Sequence, residues 1–412
     1  MQDISVETAL ERILAACAVC EAVEVAALEA GGEVLAGPVL APHDLPPFAN
    51  SGMDGFAVRA GDLAGASADR PAALPVAGSV QAGDLAEAPL APGTAVRIMT
   101  GAPLPPGAEA VVPLELCEAD GGAVRFFAPT APGRHIRPAG EDIAAGATAI
   151  PAGRLLRAAE IGLLAALGVA RVSVTRRPRV ALISTGDELL EPGACADAPL
   201  PPGRLRDANG PALAAFAAEQ GALPLALGIA RDSRAALGAL LDEAARAGAD
   251  LILTSAGASA GDYDIVSGLM RERGALEVWR VNLKPGRPLL FGRVAVSEGR
   301  TTPLIGLPGN PASALIVAHL FVRPAIARLR GLAEPPLARV TATLDEPAQR
   351  SERRHYLRAR LVWTPQGYRA SARGIGSGSG SLTTLVRANA LLVIPEGEGE
   401  LPAGAAVEAI LL

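Results

Sequence analysis

The chain has 412 residues, half of them hydrophobic, enough for about three domains with cores of their own. Its 43 acidic residues outnumber its 37 basic ones, giving a net charge of −6, which excludes a protein that binds nucleic acid by broad phosphate neutralisation. No run approaches about 18 uninterrupted apolar residues, and Asp3, Glu7 and Glu11 are unlike a basic leader, so a cytoplasmic protein with no signal peptide and no membrane contact is expected.

In chain order, residues 5–20 predict a helix capped by Ser5, with Val6, Leu10, Ile13 and Leu14 on one face. Cys17 and Cys20 fall in this stretch. With Cys117 and Cys195 they read as reduced thiols, because no second Cys/His pair stands at zinc-site spacing. A proline-rich passage at 38–47 precedes short apolar runs cut by Gly and Pro from Phe48 to Arg137, the pattern of a small β domain. Residues 155–167 return to helix, ending at Gly168, and the two helical regions are expected to pack together around the β insert. This assigns residues 1–45 and 139–170 to one discontinuous helical and linker domain and residues 46–138 to a β insert domain.

From 171 to 331 apolar strands alternate with amphipathic helices. Strands are predicted at 180–184, 223–229, 251–254, 289–291 and 304–307, and helices at 211–220, 233–247, 264–273 and 312–329. This pattern predicts a doubly wound, mostly parallel α/β domain, whose ligands sit outside the carboxyl ends of the strands. After Pro335 and Pro336, strands without intervening helices predict a C-terminal β-barrel over 332–412. The fold class is therefore multidomain α/β plus β.

Three turns follow strands of the α/β domain. The first holds Thr185, Gly186, Asp187 and Glu188; the second holds Ser255, Gly257, Ser259, Gly261, Asp262 and Asp264; the third holds Pro308, Gly309, Asn310 and Ser313. Small residues let backbone amides approach a phosphate, and the helix start after each turn adds a favourable dipole. Carboxylates beside such loops suit a bridging Mg²⁺ or neutral heterocyclic N–H groups, while helix capping is the structural alternative. Together the turns suggest a pocket for a phosphorylated ligand.

Thirty-six of the 37 basic residues are arginine, and the one lysine, Lys284, stands in Lys284-Pro285-Gly286-Arg287-Pro288. An ammonium is a compact point charge that a planar guanidinium does not reproduce, and two cations held between prolines lose little entropy on capturing an oxyanion such as phosphate, sulfate or molybdate. The run from Gly376 to Ser381, containing Ser379, supplies neutral donors, with Arg353, Arg354, Arg358 and Arg360 just upstream; a flexible linker is the alternative. His43, His135, His319 and His355 are isolated, and no Ser/His/Asp or Cys/His set is apparent. Metal and oxyanion chemistry is expected rather than an activated nucleophile.

Several ordered motifs carry a family resemblance that covers nearly the whole chain: Asn50-Ser51-Gly52-Met53-Asp54-Gly55-Phe56-Ala57, Met99-Thr100-Gly101-Ala102-Pro103, Arg137-Pro138-Ala139-Gly140-Glu141-Asp142, residues 184–189, 255–264 and 284–288, and the turn at 307–313. With these, the chain resembles the MoeA-type molybdopterin molybdenumtransferases, which are also related to the C-terminal domain of gephyrin. The resemblance implies insertion of molybdate into adenylylated molybdopterin with release of AMP, with Mg²⁺ as cofactor. It implies that Lys284, Arg287, Pro288, Arg358 and Ser379 bind molybdate. Asp187, Glu188, Asp232 and Asp264 would line the nucleotide and metal pocket, with Asp232 and Asp264 on the metal and Asp232, Asp264, Glu188 and Lys284 in catalysis. A homodimer is implied, in which Asp54 and Thr100 complete the partner's site, together with transient contact to other proteins of the pathway. Arg280 belongs to the same pocket, although the family often has lysine there, and Ala256, Ala258, Ala260 and Ala208 are smaller departures.

Two other readings compete. A related α/β domain occurs in pyridine-nucleotide amidases and pyrophosphatases, which would make the chain a hydrolase, but the β insert with Met53-Asp54 and Met99-Thr100 opposes this. A non-catalytic pterin-binding scaffold is the other, opposed by Asp232, Asp264 and Lys284.

Overall fold

The computed structural model describes residues 4–86, 88–255, 265–297, 300–333 and 338–412. At its centre, four parallel strands lie side by side in the order Leu223–Ala230, Arg179–Thr185, Leu251–Ser255 and Arg300–Leu307. Alternate residues of one strand feed different cores: Val180 and Leu182 enter one cluster, Ala181 and Ile183 another. Burial on both faces is why these strands read as continuous apolar runs. Ser184 pairs with Ser255 and Ser255 with Leu307, so three neighbouring strands end level and their turns share one edge.

Two antiparallel strands, Pro288–Ser297 and Gly274–Arg280, extend the sheet. The second was not anticipated, because 274–280 mixes Gly, Glu and Arg with apolar residues and shows no clean alternation. The helix expected at 312–329 is present as the 19-residue run Pro311–Leu329, with a π-helical turn at Ala318–Val322. It is apolar enough to span a bilayer by composition, but 78% of its window is buried in the core.

The first helix is Val6–Ala16, capped by the Ser5 hydroxyl on the Thr8 amide at 3.0 Å, a contact worth about 1 kcal/mol. It stops short of residue 20: Cys17 has extended backbone and Cys20 lies outside the helix. The expected packing of this helix on the second helical stretch does not occur. Val6, Ala9 and Ile13 join the α/β core with Phe321 and Ile326, whereas Leu164 of the helix Ala158–Ala166 packs with Leu35, Ile150, Val172 and Val174. The strand Ala22–Ala26, antiparallel to Arg171–Thr175, takes the chain away from the first helix and into this smaller unit.

Arginines join the parts. Arg176 grips Asp250 with two bonds at 2.7 and 2.9 Å and also reaches Glu21, and buried Arg330 donates to the carbonyls of Gln220 and Gly32. The insert is a six-stranded sheet with cores built around Phe56, Phe126 and Ile98. At the C-terminus, five strands close into a barrel through pairing of Arg354–Thr364 with Ala390–Ile394, and alanines at 342, 359, 390 and 409 keep its interior narrow. A short helix, Thr383–Arg387, interrupts these strands, unlike the expected all-strand pattern. The segment Leu283–Lys284 adds to the barrel as a parallel strand, Lys284 opposite His355.

Candidate functional site

The shared strand edge opens into a cleft of about 920 Å³. Thr185 and Glu188 come from the first turn, Ser255 from the second, and Pro308, Gly309 and Asn310 from the third. Arg280, Arg287 and Pro288 close one wall, and Gly380 and Leu382 reach in from the barrel. Nine of the residues proposed from sequence therefore meet in one place, because three parallel strands end at one level.

A chain of hydroxyls ties the strand ends together. The Ser255 hydroxyl donates to Ser184 Oγ at 3.2 Å, Ser184 donates to Asp207 Oδ2 at 2.6 Å, and Thr185 donates to the Ser255 carbonyl at 3.1 Å. Asp207, only 7% exposed, also accepts the amides of Asn209 and Gly210 at 3.0 and 3.1 Å, which caps the helix Asn209–Glu219. Asn209 Nδ2 then donates to the Gly309 carbonyl at 2.8 Å and links the first and third turns. Sequence reasoning missed Asp207, Asn209 and Arg206 as site residues. The signal available was Asp-x-Asn directly before a helix.

The Gly186 position, at φ +142°, is covered by the Glu188 carboxylate, which would lie 2.4 Å from a β-carbon placed there. At the rim, Asp187 and Asp232 bond reciprocally: the Asp187 amide donates to Asp232 Oδ2 at 3.3 Å and the Asp232 amide donates to Asp187 Oδ1 at 3.1 Å. Each thus commits one oxygen, and among the described residues the second oxygen has no hydrogen-bond partner. Two hard carboxylate oxygens fit Mg²⁺, which takes one or two carboxylates and fills its shell with water and substrate phosphate. No larger group of potential metal ligands occurs among the described residues. Gly257, Ser259, Gly261 and Asp264 lie outside the described residues.

The third turn differs from a bare anion cradle. The amides of Ala312 and Ser313, at the N-terminus of the helix, donate to the Ser379 carbonyl at 3.1 and 3.3 Å, and Asn310 Nδ2 donates to Ser379 Oγ at 3.1 Å. A barrel loop thus takes donors that the sequence pattern offered to phosphate, and Ser313 is buried behind it. Arg358, 1% exposed, holds this loop through Gly378 O at 3.0 Å and Thr384 Oγ1 at 2.8 Å.

Lys284 is exposed and does not line the cleft; its strand lies against the barrel, two residues before Gly286 at φ +96°. A β-carbon on Gly286 would come within 2.5 Å of Val317, so glycine is what lets the loop press on the long helix. Asp54 and Thr100 lie in the insert, away from the cleft lining. The Thr100 amide and hydroxyl both donate to Asp54 Oδ1 at 2.7 Å and hold its carboxyl below the usual value.

Comparison with known proteins matches the whole architecture in order. Residues 4–168 match the MoeA N-terminal region (domain I and II), 181–328 a probable molybdopterin binding domain, and 341–412 the MoeA C-terminal region (domain IV). The chain is 42% identical over 395 residues to molybdopterin molybdenumtransferase 2 of Mycobacterium tuberculosis, covering 93% of this chain and 94% of that protein. It is 39% identical over 380 residues to molybdopterin molybdenumtransferase of a Nostoc species, covering 91% and 85%. Among solved structures, a molybdopterin biosynthesis moeA protein from Pyrococcus horikoshii superposes with a TM-score of 0.84 at 27% identity, over 100% of both chains.

Proposed function

The chain belongs to the MoeA family and is a transferase of molybdenum cofactor biosynthesis, and from that premise we propose that its cleft holds adenylylated molybdopterin while molybdate is inserted and AMP released. The observation that carries this reading is the meeting of three small-residue turns with Arg280, Arg287 and a barrel loop around one cavity of about 920 Å³, within the range of small-molecule sites. The family match over the insert and the barrel favours transfer over the amidase or pyrophosphatase reading, and the transferase names of the relatives favour turnover over a scaffold.

Each part has a task set by its chemistry. Arg280 and Arg287 neutralise the phosphates, and their planar forks suit paired oxygens better than a lysine would. Asp232, bonded to Asp187, and Asp264 would hold Mg²⁺, which would supply positive charge against the phosphoanhydride. Glu188, folded over Gly186, has to move or accept a hydrogen bond as ligand enters. Lys284, supported by Arg287, Pro288, Ser379 and the buried Arg358, receives molybdate as a tetrahedral dianion. Asp54 and Thr100 complete the site of a second copy in a homodimer, since both are exposed and remote from their own cleft lining. Four free thiols support a reducing compartment, the cytoplasm, where the product passes to other proteins of the pathway.

Purified protein with adenylylated molybdopterin, molybdate and Mg²⁺ is expected to release AMP and yield active cofactor; absence of AMP with all three present refutes the assignment. Lys284→Ala should raise the molybdate concentration for half-maximal AMP release by roughly tenfold or more, the loss of a charge-assisted contact. An unchanged molybdate dependence removes Lys284 from the site.

A further inference from the structure

The parallel pairing of Lys284 with His355 brings together side chains that lie 71 positions apart in the sequence. Residues paired in a ladder share a face of the sheet, and residues two apart along a strand share it too. His355 therefore stands on the Lys284 face, and Arg353, in the bend just before the strand, donates to the Leu283 carbonyl at 3.4 Å, beside the Lys284 backbone. The intervening Arg354 turns the other way, to Glu7 and to Glu396 at 3.5 Å.

We propose that Arg353 and His355 belong to the oxoanion subsite of Lys284, with His355 binding a proton and donating it in a hydrogen bond to a bound dianion. The inference rests on the assignment of Lys284 to molybdate and adds to it two ligands and a proton. The charges around the imidazole make the case. Lys284, Arg358 and Arg353 are the groups that act on His355, and all are positive. The carboxylates on neighbouring elements are committed elsewhere: Glu396 to Asn282 and Arg354, Glu7 to Arg354. Arg350 donates to the Glu396 backbone carbonyl, and the residue opposite His355 on the barrel strand is apolar Ile394.

Burial first, then repulsion by the three cations, pushes His355 down to about 4, so the imidazole is neutral at physiological pH. A group of cations without a counter-charge is an unfavourable arrangement that an incoming anion relieves. A dianion places two negative charges beside the ring, offsets most of the repulsion from the three cations and offers an acceptor for the imidazole N–H, which favours imidazolium. A monoanion relieves less of the repulsion, so the same device selects molybdate, tungstate or sulfate over chloride or nitrate.

The test is calorimetric titration of the full chain with sodium molybdate between pH 6.5 and 8.5, in two buffers of different ionisation heat. Uptake of up to one proton per molybdate is expected, with affinity rising as pH falls, by about tenfold per pH unit at the steepest. His355→Gln should abolish the buffer dependence and weaken binding by roughly tenfold, and Arg353→Gln should weaken binding while retaining proton uptake. Imidazole resonances followed by NMR give a second readout on the unmutated protein: one of four histidines should titrate at higher pH with molybdate than without it. If no resonance moves, or His355→Gln binds molybdate with wild-type affinity and proton count, the inference fails. If Lys284→Ala binds as wild type, or the wild type gives no heat at millimolar molybdate, the Lys284 reading itself fails, and the inference with it.

Discussion

Lys284 and His319 show how the surroundings of a basic side chain decide its charge and its use. Lys284 is a lone ammonium among 36 arginines and sits where an anion can reach it. His319 is buried in the long helix, edge-on to Phe216 with ring centres 4.8 Å apart, and its Nδ1 has no partner among the described residues. Burial, then the charge of Arg323, pushes it to about 4 from an ordinary 6.5. With His355 at about 4 as well, the unfolded chain binds protons between pH 6.5 and 4 that the native chain does not. Stability held above pH 6.5 is therefore lost as pH falls through that window. Thermal unfolding of the ligand-free protein should show the midpoint dropping by several degrees between pH 7 and 5, and His319→Phe, which keeps the ring and removes the proton site, should flatten that slope. An equal slope in the variant contradicts the assignment.

At the scale of elements, the barrel loop and the helix starting at Pro311 form one unit. The Ser379 carbonyl satisfies two of the three amide donors that this helix leaves open at its start, Pro311 having none, while Arg358 holds the loop from below. Arg358 is absent from the cleft lining, yet it holds the loop whose Gly380 and Leu382 line it. Arg358→Met should leave Gly378 and Thr384 without their donor, cost about 1–3 kcal/mol and loosen the loop. Limited proteolysis should then cut within 376–382 faster than in the wild type, with the rest of the barrel intact. The reciprocal bonds of Asp187 and Asp232 are a similar device, fixing two loops across the strand edge.

For the whole molecule, the strand Leu283–Lys284 couples the α/β region to the barrel, and Arg176 and Arg330 couple it to the smaller unit holding Gly32 and Glu21. The insert keeps its own cores, and its Asp54–Thr100 pair faces solvent. A site completed by a second copy makes a sharp prediction. At molybdate concentrations that saturate the wild type but not Lys284→Ala, the Asp54→Ala and Lys284→Ala proteins should each be strongly impaired alone, and a mixture allowed to exchange subunits should recover activity, since a mixed dimer contains one unmutated site. No recovery on exchange contradicts the shared site.

The sequence alone determined the layered order of the chain, because buried parallel strands, alternating barrel strands and Gly/Pro-cut insert strands each have their own periodicity. It also pointed to the turns that line the cleft, since small residues and carboxylates after a strand suit a phosphate cradle or a helix cap, and three such turns follow strands of one predicted sheet. Tertiary structure alone decided what meets across long separations. The placement of the first helix on the α/β core, the capping of the Pro311 helix by Ser379, and the pairing of Lys284 with His355 follow from packing and ladder register. A one-dimensional pattern carries neither, because each contact depends on which elements become neighbours once the apolar faces are buried.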